Sequence, residues 1–356
     1  MTTNGGPNSL KRLLLTAIAL LFLASAVAAQ SVNTSLAALP EADALIYVSP
    51  QRILNEAAPR VMVATEYSKM RASLADMKRA VGVDPSAIEY LVIAVRFHKP
   101  ASDLSFVAPD VMAVFGGDFS SDSLMTLAQN FLQDKVRIEQ HGSKSIALVK
   151  VDPIVAEAQK NPILKPFTEL GAVALSANSM AVGNLRYLKS AIDASAGNGM
   201  RISPAAIESL MRDPNALIAA SGAPLAAVAK SLGLFGLENT TRESRCDTTL
   251  GNFYAAVTMS GTNFSLRGAM NADNSDTAKI IHGLISGLMK QGIDAVPDKG
   301  AQTILQTVKM FPRESEIVIE ADIPEKVVAD YFRPAKRVET TKPAAKQPVK
   351  RKRTGK

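Results

Sequence analysis

The chain has no tryptophan, one cysteine and three histidines in 356 residues. A lone cysteine, Cys246, cannot close an internal disulfide, so no intrachain cross-link holds this fold. His98, His141 and His282 are far apart, with no His-x-His or His-Glu-x-x-His spacing, which excludes the common zinc sites. Neither Gly-x-Ser-x-Gly nor Ser-x-x-Lys occurs, which sets aside the commonest serine hydrolases and the penicillin-binding enzymes. Gly116-Gly117 stands between a strand and a helix but lacks the third glycine and the Lys-Ser/Thr of nucleotide loops, so it reads as a tight turn. Aromatics make up 5% of residues, leaving few flat rings for stacking carbohydrate. No catalytic, cofactor-binding or metal-binding residue is assigned, and no cofactor is expected.

What the sequence does contain is a unit used twice. The first copy, Ile88 to Phe131, runs IEYLVIAVRF, a polar gap, DVMAVFGGDF and then SSDSLMTLAQNF. The second, Asn252 to Met289, runs NFYAAVTMS, the gap GTN, FSLRGAMNAD and then NSDTAKIIHGLISGLM. Each copy predicts strand, turn, strand, helix. Tyr90, Val92 and Ala94 share one strand face and Leu91, Ile93 and Val95 the other, so this strand is apolar on both sides. Phe264, Leu266, Gly268 and Met270 instead alternate with Ser265, Arg267 and Ala269, the pattern of a half-solvated antiparallel strand. The helices follow the longer period, with stripes Leu124, Leu127, Ala128, Phe131 and Ile281, Leu284, Ile285, Leu288. Ser120/Ser121/Asp122 and Asp273/Asn274/Ser275 supply capping oxygens at their starts.

The flanks repeat too. ALIYVSPQRIL (44–54) and ALIAASGAPLAAV (216–228) each lead a strand through a proline into a helix. Residues 136–158 and 305–331 each read as a hairpin and then a helix opened by Asp-Pro or Asp-Ile-Pro. Four matching elements in one order predict an internal duplication. The expected fold is therefore α+β with two similar domains, each a mainly antiparallel sheet with helices on one face. The divisions are a first domain at 41–195, a boundary segment at 196–215 rich in Gly, Ser, Pro and Asn, and a second domain at 216–332. Gly171–Ile192 adds a hairpin and helix to the first domain.

Lys11 and Arg12 precede an uncharged run from Leu13 to Ala29 ending in small residues, the pattern of a secretory signal peptide at 1–29. An uncleaved anchor in the inner membrane is the alternative reading. With cleavage, no transmembrane span is expected, and residues 30–40 read as a linker. The helical region Pro50–Val81, interrupted at Pro59, carries Val63, Tyr67, Met70, Leu74, Met77 and Val81 at helical spacing, and this face is expected in the core. Gly283 and Gly287 are spaced for close helix packing. Leu232–Leu250 lacks periodicity and reads as a surface loop.

From Arg333 the chain holds ten Lys or Arg against one Glu, a net of +9 in a chain of net +7. The basic character thus belongs to the tail, and its composition predicts disorder. Lys346, Lys350, Arg351, Lys352, Arg353 and Lys356 are candidate contacts for a polyanion such as an anionic envelope polymer or lipid headgroups. No aromatics interleave to stack bases, and no nucleic acid is expected.

The opening LPEADALIYVSPQRIL behind a signal peptide, with repeated strand-helix units, resembles uncharacterised exported proteins of bacterial genomes. The resemblance implies export to the periplasm or cell exterior and brings no active-site residues. A non-catalytic binding or scaffolding role in the envelope is the expectation. The alternative is an unrecognised envelope hydrolase with a site between the domains, for which Asp118, Asp122 and Cys246 are the candidates.

Overall fold

The computed structural model describes residues 32, 35–81, 84–98, 109–132, 135–150, 169–222, 252–295 and 299–332. The strands are β1 (Ala44–Val48), β2 (Ile88–Arg96), β3 (Asp110–Gly117), β4 (Val136–His141), β5 (Lys144–Lys150) and β6 (Glu169–Ser176). They continue with β7 (Ser179–Gly183), β8 (Ile218–Gly222), β9 (Phe253–Ser260), β10 (Asn263–Asn271), β11 (Lys309–Arg313) and β12 (Glu316–Pro324). All twelve join one antiparallel sheet, in the order β11-β12-β10-β9-β8-β1-β2-β3-β7-β6-β5-β4. The expectation of mainly antiparallel sheet holds; the two separate sheets do not. β1 pairs with β8, Ile46 opposite Ala220, and hydrogen-bonds one region to the other.

The helices are α1 (Pro50–Arg52), α2 (Ala58–Val61), α3 (Ala64–Val81), α4 (Ser121–Leu132) and α5 (Leu185–Ser195). They are followed by α6 (Pro204–Leu210), α7 (Ser275–Ala295), α8 (Lys299–Gln306) and α9 (Glu325–Phe332). They cover both faces of the sheet rather than one. On the first face, Tyr187, Leu188 and Ile192 of α5 and Leu210 of α6 pack on Val92, Val114, Leu148, Val173 and Ala219. On the second face, Met125 of α4 meets Ala147 and Met180. Also on that face, Ala278 and Ile281 of α7 meet Met270 and Ile317, and Val61 of α2 shares a cluster with Phe264 and Val328 of α9.

The segments read as linker and boundary both enter the main core. Leu36 and Leu39 from 30–40 are fully buried, and Ile202 and Leu210 from 196–215 lie in the same cluster. Apolar residues in a polar-looking stretch are enough to anchor it once a sheet face needs covering.

Local chemistry accounts for the other departures. Pro59 does not break its helix. A π-helical turn, Ile53–Ala57, precedes it and absorbs the missing N–H and the ring, and the break falls at Met62, whose backbone is extended. The stripe on α3 is not core. Val63 is exposed and Tyr67, Met70 and Leu74 are only half-buried. On α7 the packed stripe is Ala278, Ile281 and Ile285, while Leu284 is 52% exposed and Ile280 65%. Gly283 and Gly287 are exposed, and among the described residues nothing lies within 4 Å of where a side chain there would begin, so these glycines do not serve packing against a described helix. Capping chemistry stands where expected, with Ser120 Oγ accepting from Ser123 N–H at 3.2 Å and Asn274 Oδ1 from Thr277 N–H at 2.9 Å.

One second-face row of uncharged residues crosses every strand in register. It runs Met310, Ile319, Gly268, Ala255, Ala220, Ile46, Ile93, Ala113, Val182, Ala172, Ala147, Ile138. The first face differs between the halves. From β8 to β5 it is apolar and covered, and beyond β9 it is polar, with no helix of the described residues packed over β10, β12 and β11.

Candidate functional site

The open part of the first face is a platform of β9, β10, β12 and β11. Register fixes its rows. Asn252 bonds back to Asn271, which stands opposite Glu316, which stands opposite Arg313. The next row is Tyr254, Ala269, Val318, Phe311, and the next Ala256, Arg267, Glu320, Lys309. Thr258, Ser265 and Asp322 close it. Helices α2, α7 and α9 pack on the opposite face, and α6 meets β9 at one border of this face. The alternation of Ser265 and Arg267 with Phe264 and Leu266 is the sequence signal for this arrangement.

Electrostatics hold the platform's side chains in place. Arg267 Nη2 donates to both oxygens of Asp322, at 2.8 and 3.0 Å, and the Ser265 hydroxyl donates to the same carboxylate. The Ser265 hydroxyl, and then the Arg267 guanidinium, hold the Asp322 carboxyl below the usual range.

Where the platform meets α6 it deepens into an open groove of about 900 Å³. Glu208 and Arg212 line one side; Asn252, Tyr254, Asn271 and Glu316 line the other. The guanidinium carbon of Arg212 lies 4.2 Å from the centre of the Tyr254 ring, a cation–π contact that fixes the wall. Two carboxylates, two amides and a stacked guanidinium thus share one concavity of ordinary ligand-site size.

A second polar cluster gathers around one buried carboxylate near the surface. Asp110 is 3% exposed, and its carboxylate accepts from the Asn184 amide, from Arg186 Nε and Nη2 at 2.9 Å each, and faces His98 Nε2 at 2.6 Å. Asn184 precedes α5 and turns its side chain away from the helix, accepting from Val111 N–H at 2.9 Å. The cluster fastens the start of β3 to the start of α5. The other histidines also have polar neighbours, His141 facing Asp193 at 2.9 Å and His282 facing the Met310 carbonyl at 3.1 Å. Among the described residues no three His, Cys, Asp or Glu side chains converge as metal ligands.

Of the residues singled out by sequence, Lys346, Lys350, Arg351, Lys352, Arg353, Lys356 and Cys246 lie outside the described residues, as do the signal segment and the 232–250 loop. Asp118 and Asp122 are exposed around the start of α4, away from the groove. Gly116-Gly117 is explained by packing. A methyl group at Gly116 would meet the Tyr90 hydroxyl at 2.4 Å, and one at Gly117 the Ala87 carbonyl oxygen at 2.0 Å. Sequence reading missed Glu208, Arg212, Tyr254 and Glu316, which come from the boundary segment and from strands far apart in the chain. No helix of the described residues is long and apolar enough to cross a membrane.

No protein-family model matches the chain, and no curated protein matches it. Among solved structures, crystal form III of TP0453 is similar with a TM-score of 0.43 at 10% identity, over 83% of this chain and 96% of that chain. Crystal form I of TP0453 gives 0.41 at 12% identity, over 83% and 94% of the two chains. Crystal form IV gives 0.39 at 9% identity, over 83% and 95%.

Proposed function

We propose that this is an exported, non-catalytic binding protein of the bacterial cell envelope. In this reading it holds a hydrophilic polymer on the open platform while its basic tail contacts anionic envelope polymer or lipid headgroups. The platform carries the proposal. Four strands whose far side is packed under helices present rows of amide, charged and aromatic side chains to solvent, with a groove at one border. A face whose side chains are set by strand register is suited to binding. The signal-like N-terminus and the +9 tail support the location and the second contact. An inner-membrane anchor at 1–29 would place the same platform outside the cytoplasm.

The proposal includes an internal duplication. Outward from the β1–β8 seam, each direction meets two more strands of one hairpin and then a hairpin followed by a helix. β1-β2-β3 with β7-β6 and α5 corresponds to β8-β9-β10 with β12-β11 and α9. This alignment supports β6–β7, rather than β4–β5, as the counterpart of β11–β12.

A second reading has one observation in its favour. Glu208 and Glu316 line the same groove, and paired carboxylates are the equipment of glycoside hydrolysis.

Fractionation of cells making the full chain, or a chain ending at Phe332, tests the first reading. The full chain is expected with the envelope and released by a high-salt wash, and the shortened chain is expected free in the exported fraction. Retention of the full chain in the cytoplasm overturns it.

A further inference from the structure

We propose that the platform and its groove bind a neutral glycan strand of the cell envelope. This rests on the exported, binding reading above and names the ligand it would hold.

The first ground is charge. The platform and groove carry four cations, Arg212, Arg267, Lys309 and Arg313, and four anions, Glu208, Glu316, Glu320 and Asp322. Arg267 is clamped on Asp322, while Lys309 stands opposite Glu320 and Arg313 opposite Glu316. Cations and anions cancel over the face as a whole, the extra cation of the Arg267 row lying beside Asp322 of the next. Such a face gives a polyanion or polycation no net attraction, whereas its planar donors and acceptors can bond hydroxyl and amide groups. A complementary occupant is polar and uncharged. The polyanion belongs to the tail.

Shape is the second ground. Along the central row the small Ala269, buried at 2% exposure, and the half-buried Val318 stand between the larger Tyr254 and Phe311. Those two side chains are three strand spacings apart, roughly 14 Å at about 4.8 Å per step. Phe311 is 38% exposed and offers a ring face to the apolar side of a sugar. At the other end, Arg212 stacked on Tyr254 builds a flat wall whose donors lie in the guanidinium plane, beside Asn252 and Asn271. A strand laid along this row would stack at Phe311, pass over Val318 and Ala269 and end among amides and carboxylates in the groove.

Co-sedimentation of the full chain with insoluble chitin and with purified cell-wall sacculi tests this, in low salt and in molar salt. Molar salt shortens the screening length to about 3 Å and removes the tail's contribution. The expected result is binding to at least one polymer that persists in molar salt. Phe311→Ala and Arg212→Ala, both changes at the surface, should each weaken it by about tenfold, the scale of one lost stacking contact.

Binding that vanishes in molar salt, or that both variants retain in full, overturns the glycan inference and leaves the exported, binding reading standing. Binding to neither polymer overturns it equally, while retention of the chain in the cytoplasm overturns the underlying reading. If sacculi release reducing ends with the full chain but not with Glu208→Gln or Glu316→Gln, the glycan inference holds and the non-catalytic part of the function falls.

Discussion

Ile46 of β1 stands directly opposite Ala220 of β8, and this pairing makes one sheet out of strands on either side of residues 196–215. The main core cluster follows suit, because Leu45, Leu148, Leu210 and Ala219 belong to it together. Elements that share a ladder and a core unfold together. Far-UV and near-UV circular dichroism should therefore report one coincident thermal transition. Leu210→Ala, at a side chain 1% exposed, should lower stability by about 2–5 kcal/mol while keeping that transition single. Two separated transitions would show independent halves.

How far the sequence reached is clearest at β10 and α3. The alternation Phe264 to Met270 places one side of β10 in a core and the other in water; Phe264 and Met270 are in cores and Arg267 is exposed, while Ala269 on the polar side is buried. Periodicity reports which face of an element is apolar, but not whether a partner arrives to cover it. The same pattern put Met70 and Leu74 of α3 in a core that does not close over them. Strand order was illegible for a related reason. The seam pairs β1 with a strand more than 170 residues later, and nothing local to either strand encodes its neighbour. The groove suffered most, since Glu208 and Glu316 meet there only through α6 and the far end of β12.

Asp110 was equally silent in the sequence, because its partners Asn184 and Arg186 lie 74 and 76 residues away. Asp110→Ala leaves those donors and His98 without their acceptor. The carboxylate is buried, but Arg186 is 60% exposed and can turn to water, so the loss comes from the unpaired Asn184 amide and should be about 1–3 kcal/mol. Asp110→Asn keeps the shape and one acceptor and should lose less. Urea unfolding of the two variants measures the difference, and equal stability to the parent would remove the cluster from the account of the fold.

Gly117 tests the packing explanation for the double glycine. A methyl group there would meet the Ala87 carbonyl oxygen at 2.0 Å, and that backbone is held in place by the 3.0 Å bond from Asp118 N–H to the same oxygen. Gly117→Ala is expected to destabilise by about 1–3 kcal/mol, as overpacking does. Gly261→Ala, in the open turn between β9 and β10, has no neighbour within 4 Å but sits at φ 59°, so its cost should come from backbone strain alone and stay near 1 kcal/mol. Thermal melts compare the two directly, and a harmless Gly117→Ala would overturn the packing explanation.

The platform's own charges set its response to acid. The Ser265 hydroxyl and Arg267 lower the Asp322 carboxyl, and on the first half Lys189, then Arg137, lower Glu139. In each case the folded chain releases its proton more readily than the unfolded one. The stabilisation is therefore complete above the ordinary carboxylate range near pH 4 and drains away as pH falls through the lower folded value. Melting temperature should stay level from neutral pH to about 5 and decline below about 4. Asp322→Asn removes one of the contributing carboxylates, so its decline should be shallower than the parent's. High salt should narrow the gap between the two, because the pair is exposed and screened. An unchanged acid slope in Asp322→Asn would mean that the Arg267 clamp orders the platform without stabilising the fold. It would then leave Arg267 to be judged by binding alone.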